Sequence, residues 1–206
     1  MMAPFRINAD PSRAMDYPRS TRQCWAMGFP ARALAAVASG EMEPLAEWGQ
    51  ISEAVAGGGV VVLSGKRGTG KTVAACKLGI GWYASGRIVA GSARYWRLGD
   101  LMSQQKATFK RGDSPPMFTK SDPFTLAREA RLLVLDEADE FAETDFERTE
   151  LARLVDARYA EVSPTVLITN RPPSELAKRI GISILDRARE GGAFVTFTGE
   201  SKRGGQ

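Results

Sequence analysis

Eight consecutive residues, Gly65-Lys66-Arg67-Gly68-Thr69-Gly70-Lys71-Thr72, fit the pattern G-x-x-x-x-G-K-[ST] at every fixed position. The run is suited to holding phosphate. Gly65, Gly68 and Gly70 let the backbone take positive φ and wrap an anion closely. Successive N–H groups then point inward and cradle the phosphates. Lys71 reaches the β- and γ-phosphates as a point charge, and the Thr72 hydroxyl can ligate Mg²⁺. Arg67, Thr69 and Val73 complete the residues expected around bound ATP. A chance glycine-rich turn is the bland alternative. It does not explain the flanks, a β-branched run before the pattern and a helical stretch after it.

Two carboxylates, Asp136 and Glu137, end the apolar run Leu132-Leu133-Val134-Leu135. An Asp at the carboxyl end of a buried parallel strand lies where ligands bind in open α/β sheets. Asp136 is expected to hold Mg²⁺ through water, and Glu137 to polarise an attacking water as general base. The paired carboxylates point to nucleotide hydrolysis more than to transfer onto a small metabolite. Asp139, Glu140, Glu143 and Asp145, further on, read as a solvated helix start.

Asn170 follows the run Thr165-Val166-Leu167-Ile168-Thr169, and fits a polar group that senses the γ-phosphate; an ordinary turn before Pro172-Pro173 is the other reading. Arg187 and Arg189 lie near a helix end. They either complement its negative pole, or one of them reaches the γ-phosphate of a neighbouring subunit as an arginine finger. Arg187 is the candidate.

These groups need a sheet to position them. Short apolar runs at 60–64, 87–90, 132–136, 165–169 and 194–198 read as strands. Helical stretches lie at 30–39, 43–56, 70–84, 96–108, 123–131, 145–160 and 173–189. Strands alternating with helices predict an α/β fold with a five-stranded parallel sheet covered on both faces. Residues 1–27 read as a proline-broken tail whose end Cys24, Trp25 and Met27 could anchor. The segment 106–122 reads as a basic, solvated loop.

Composition narrows the chemistry. The 206 residues suit one domain with a short appendage, and 43% hydrophobic with 25% charged residues is ordinary globular usage. Without histidine, Ser-His-Asp and Cys-His catalysis and His-based zinc sites are excluded. Two cysteines cannot make a disulfide scaffold, so a reducing, cytoplasmic setting is expected. No apolar run approaches the roughly 18 residues of a membrane span, and the N-terminus does not read as a signal peptide. A net charge of +4 permits a nucleic-acid partner without demanding one.

The order GKRGTGKT, LLVLDE, VLITN and LDRARE-GG-FVTFTGESKR resembles the AAA+ ATPases. More narrowly it resembles the DnaC-type helicase loaders and their relatives, the DnaA initiator and the IstB transposition ATPase, over about residues 43–203. The resemblance implies a P-loop NTPase of the AAA+/ASCE type, a three-layer α/β/α sandwich without a C-terminal lid domain. Residues 43–206 would form the ATPase domain, and residues 1–42 an N-terminal extension that binds a partner. Arg187 matches the family's finger position, and Gly199, Ser201 and Arg203 match its tail. The segment 93–101 resembles the region leading into DNA-facing helices. Stacking and phosphate contacts to single-stranded DNA would then come from Tyr95, Trp96, Arg97, Lys106, Phe109, Lys110 and Arg111.

The resemblance implies an ATP-hydrolysing loader that binds ATP and Mg²⁺, forms a homo-oligomer through the ATP site, and helps place a replicative helicase on single-stranded DNA. An IstB-like ATPase delivering a transposase to target DNA would carry the same motor. A small-metabolite kinase, and a protein that holds ATP only as a structural ligand, are the readings from other classes.

Overall fold

The structure, a computed structural model, describes residues 19–40, 48–110, 122–140 and 144–199. The elements among them run α1 (Arg19–Ala26), α2 (Ala31–Ala38), α3 (Trp48–Ala56), β1 (Val60–Gly65), α4 (Lys71–Ala84), β2 (Ala93–Arg97), α5 (Leu98–Lys110), α6 (Pro123–Glu129), β3 (Leu132–Asp136), α7 (Asp145–Ala160), β4 (Thr165–Ile168), α8 (Pro173–Ile180), α9 (Ile182–Gly191) and β5 (Ala193–Phe197).

The strands form one parallel sheet in the order β2-β3-β4-β1-β5. Alternation along each strand divides the core into two layers. Val61, Leu63, Val134, Val166 and Val195 face one layer with α1, α2, α3 and α4. Val60, Val62, Leu133, Leu135 and Leu167 face the other with α5, α6, α7, α8 and α9. The expected three-layer α/β/α arrangement with five parallel strands is what the chain adopts.

Three local expectations need correction. The stretch 87–90 is not a strand: Gly86 and Gly91, both at positive φ, bracket it, Ile88 alone is buried, and Val89 is 61% exposed. The second strand is β2, at the sheet edge, where only Ala93 and Tyr95 are buried, Trp96 is half-buried, and Arg94 and Arg97 blur the apolar signal. The long helix expected at 173–189 is two helices, broken at Gly181 with φ 95°. Part of the predicted tail is helix α1, which buries Thr21 and Cys24.

Residues 19–40 pack onto the sheet layer that holds α4. Cys24, Phe29 and Leu34 are buried in that core, and Met27 O accepts from Tyr95 N at 3.0 Å. Burying side chains the size of Phe29 and Leu34 stabilises by about 1.5–3 kcal/mol each, which is why this stretch is ordered against the sheet. The expected boundary at 42/43 lies outside the described residues.

On the opposite layer Arg158 is fully buried and fixes α6 and β4 together. Its guanidinium donates to the carbonyls of Ala127, Arg128, Ala130 and Pro164 at 2.6–2.8 Å, and to Thr165 Oγ1 at 2.9 Å. Burial lowers its pKa to about 10, and the carbonyl cage supplies the partners that a buried cation requires. A capping box starts α7: Thr144 Oγ1 accepts from Glu147 N, and Glu147 Oε2 accepts from Thr144 N.

Candidate nucleotide site

The turn after β1 takes the shape its glycines allow. Gly65, Gly68 and Gly70 have φ of 141°, 85° and 99°. Gly65 has a further constraint: a Cβ there would run into the Phe197 carbonyl on β5. Thr69 Oγ1 donates to Lys66 O at 2.9 Å and braces the loop. Helix α4 begins at Lys71, and Ala74 N pairs with Gly70 O at 2.9 Å. The amides of the first turn before it have no partner within the helix, which leaves its positive end for an anion. Val73 lies in that first turn and packs half-buried on the core beneath.

Lys71 is buried, and its ammonium lies inside the loop. Nζ donates to Gly65 O at 2.7 Å, to Lys66 O at 2.8 Å and to Asn170 Oδ1 at 3.1 Å. Asn170 follows β4, which lies between β1 and β3, so the sheet order brings the loop, Asn170 and Asp136 to one edge.

Asp136 ends β3 and gathers three donors. Thr72 Oγ1 donates to its Oδ2 at 3.0 Å, Tyr95 Oη donates to the same oxygen, and Glu137 N donates to Oδ1 at 2.7 Å. Burial and the Asp136 charge push the Tyr95 hydroxyl far above its ordinary pKa, so it remains a donor. Glu137 takes φ 55°, a left-handed conformation that costs on the order of 1–2 kcal/mol. Its carboxylate lies 3.6 Å from Arg97 Nε. Burial raises the Glu137 pKa; Arg97 opposes this, and Glu140 and Asp136 add to it.

Asp139 is not part of a solvated helix start. It is 5% exposed; its Oδ1 accepts from Asn170 N at 3.0 Å, its Oδ2 lies 3.8 Å from Arg171 Nε, and its carbonyl accepts from Arg179 at 2.8 Å. Glu140 pairs with Arg67 across the mouth of the loop. A cavity of about 480 Å³ opens here, lined by Lys66, Arg67, Asp139, Glu140, Asn170 and Arg171 among others. Asp145 is exposed in the first turn of α7, as expected; Glu143 lies outside the described residues.

Arg187 is far from this cluster. Helix α9 ends where Gly192 packs against Val60, at the start of β1 and thus at the other end of the sheet. Arg187 Nε lies 3.3 Å from Asp156 Oδ1, its Nη1 lies 3.1 Å from Glu190 Oε2, and its guanidinium stacks over the Tyr159 ring at 5.0 Å. Arg189 pairs with Asp186 at 2.6 Å. Neither arginine can serve the loop of its own chain.

The set proposed for DNA contact is dispersed. Tyr95 is buried on Asp136, which rules out stacking on a base, and Trp96 packs half-buried on the second core layer. Arg97 faces Glu137, and Lys106 pairs with Glu147 at 2.8 Å. Arg111, the Phe109 and Lys110 side chains, and the tail residues Ser201 and Arg203 lie outside what the structure describes.

The donor set fits a nucleoside triphosphate with Mg²⁺. A buried ammonium and the first-turn amides suit phosphate, while the adjacent Thr72 hydroxyl and Asp136 carboxylate are the hard oxygens that Mg²⁺ takes. Among the described residues no group of three thiolate or carboxylate side chains forms an all-protein metal cage. Mg²⁺ does not need one, because it is usually held by one or two protein oxygens with the phosphates.

No protein-family model matches the chain. Over 143 residues it is 29% identical to the replicative helicase loader DnaC of Escherichia coli, a match covering 69% of this chain and 55% of that protein. The chain thus spans about half the length of the curated relatives it matches. A crystal structure of the DnaC helicase loader superposes with a TM-score of 0.57 at 19% identity, covering 81% of this chain and 89% of the other. The replication initiator DnaA bound to AMPPCP and single-stranded DNA superposes with a TM-score of 0.55 at 18% identity, covering 75% and 44%.

Sheet order, phosphate loop and acidic strand end together define an α/β fold with a phosphate loop, the fold shared with the DnaC and DnaA structures. Among proteins of that fold the chain is similar, in sequence and in structure, to the DnaC helicase loader.

Proposed function

We propose that the chain is an ATP-hydrolysing helicase loader. The observation that carries this reading is the 143-residue similarity to the replicative helicase loader DnaC. The AMPPCP- and DNA-bound DnaA of like fold supports nucleotide and single-stranded DNA as ligands.

In this reading ATP binds at Gly65, Arg67, Gly68, Thr69, Gly70, Lys71, Thr72 and Val73. The loop amides and Lys71 hold the phosphates. Bound Mg²⁺ would neutralise phosphate charge, with Thr72 and Asp136 as its protein ligands. Glu137 accepts a proton from the attacking water at its carboxylate. Asn170, held by Asp139, reports on the γ-phosphate through its amide, which already touches Lys71. Arg187 acts on a neighbouring subunit's nucleotide, so that occupancy sets assembly. The partner is a replicative helicase, and the expected partner-binding stretch is residues 1–42.

The test is capture of the helicase. Purified replicative helicase is mixed with Glu137→Gln protein, ATP and Mg²⁺, with Lys71→Ala as control. Co-elution with the first and not the second is the expected result. Co-elution with neither refutes the loader reading.

A further inference from the structure

Tyr95 belongs to the edge strand β2, yet it is only 8% exposed. The stretch between α1 and α2 fixes it from outside. Tyr95 N donates to Met27 O at 3.0 Å, Ala93 N donates to Met27 Sδ at 3.3 Å, and the Tyr95 ring packs on Phe29 with centroids 5.4 Å apart. Packing alone would be served as well by phenylalanine. A buried phenol needs a hydrogen-bond partner, and here the partner is Asp136.

Asp136 Oδ2 therefore takes two hydroxyl donors. Thr72 belongs to the phosphate loop, whereas Tyr95 reaches in from a strand 41 residues earlier in the chain than Asp136. The terminal torsion of an aspartate is broad and two-fold, so one donor leaves the carboxylate plane loosely set. A second donor on the same oxygen, with Glu137 N on the other, fixes it.

We infer that Tyr95 is a positioning residue, whose hydroxyl holds the Asp136 carboxylate turned toward Thr72 so that the two oxygens are set before metal and nucleotide arrive. The inference rests on the reading of Thr72 and Asp136 as the Mg²⁺ site. Its benefit is preorganisation: the ordering cost is met in folding rather than on binding.

The experiment is direct binding of a fluorescent ATP analogue to the full chain, in EDTA and in Mg²⁺, with no turnover required. The readout is the ratio of the two dissociation constants. Wild type should bind more tightly with Mg²⁺. Tyr95→Phe should match it within about twofold in EDTA, and lose roughly tenfold of the Mg²⁺-dependent tightening, as expected for one charge-assisted hydrogen bond. Phe29→Leu, which trims the ring contact and keeps the hydroxyl, should retain the wild-type ratio. In an Asp136→Asn background Tyr95→Phe should add no further loss. A wild-type ratio in Tyr95→Phe overturns the inference, as does an equal fall in Phe29→Leu or an additive loss in the double variant. If wild type binds the analogue but Mg²⁺ has no effect, the metal site itself fails and the inference falls with it.

Discussion

The backbone amide of Asn170 donates to Asp139 Oδ1 at 3.0 Å, and this bond joins the ends of two neighbouring strands. Asp139 lies two residues beyond Glu137, and Asn170 touches Lys71. A single buried carboxylate thus links the acidic strand end to the polar group facing the phosphate loop.

Asp139→Ala should uncouple Asn170 from that frame. The lost bonds to Asn170 N and Arg171 should lower stability by roughly 1–3 kcal/mol, since a part-buried amide is left without its acceptor. ATP turnover should fall more than ATP affinity. Asp139→Asn keeps an acceptor and should recover most of the turnover. Thermal melts with parallel kcat and KM measurements check both points.

Glu137 must be ionised to accept a proton, and its pKa is raised, chiefly by burial, with Arg97 opposing. Turnover should therefore persist above that raised value and fall as pH drops through it. Arg97→Ala removes the opposing cation, so the acidic limb of the kcat profile should move to higher pH. A shift to lower pH, or none, would refute this account of the base. Glu137→Gln should cut turnover by about a hundredfold or more with ATP still bound.

Arg187 projects from the end of the sheet opposite its own loop, which sets up a mixing test. Arg187→Ala should melt like wild type, because its partners Asp156 and Glu190 are surface groups. If Arg187 acts as an arginine finger, the variant's turnover should nonetheless drop by roughly a thousandfold. Mixed with Lys71→Ala, which keeps Arg187 but lacks the lysine of the loop, it should regain turnover that neither shows alone. A mixture no faster than its parts would show that Arg187 does not act across subunits.

Arg158→Leu removes the guanidinium donors from the carbonyl cage between α6 and β4. The carbonyls of Ala127, Arg128 and Ala130 then lose this partner, while Pro164 O keeps Leu133 N, at a cost of about 3 kcal/mol or more. The melting temperature should fall by roughly 6–12 °C. Nucleotide affinity, measured well below the melt, should change little, since Arg158 contacts no residue of the site.

What the sequence alone determined is local. The phosphate loop is a contiguous pattern whose glycine spacing dictates backbone shape, so Gly65 through Thr72 could be placed before any fold was known. Val60–Leu63 and Leu132–Leu135 are buried on both faces, and an uninterrupted apolar run marks such strands. Asp136 and Glu137 sit directly after the second of those runs, and Asn170 after the run 165–169, so their positions followed from the strands. The edge strand β2 was misplaced because only Ala93 and Tyr95 in it are buried and Arg94 and Arg97 interrupt its apolar pattern. Tertiary structure alone decided the rest, because those contacts join residues distant in the chain. Asp139 looked like one more acid in an acidic run until Asn170, 31 residues later, was folded against it. Tyr95 had the composition of a surface stacking group until Met27 and Phe29 covered β2 and Asp136 received its hydroxyl. Arg158 carried no sign of burial, since only the meeting of α6 with β4 creates the carbonyls that hold it. Periodicity reports which side of an element is wet; it does not report which polar group from another element will be there to meet it.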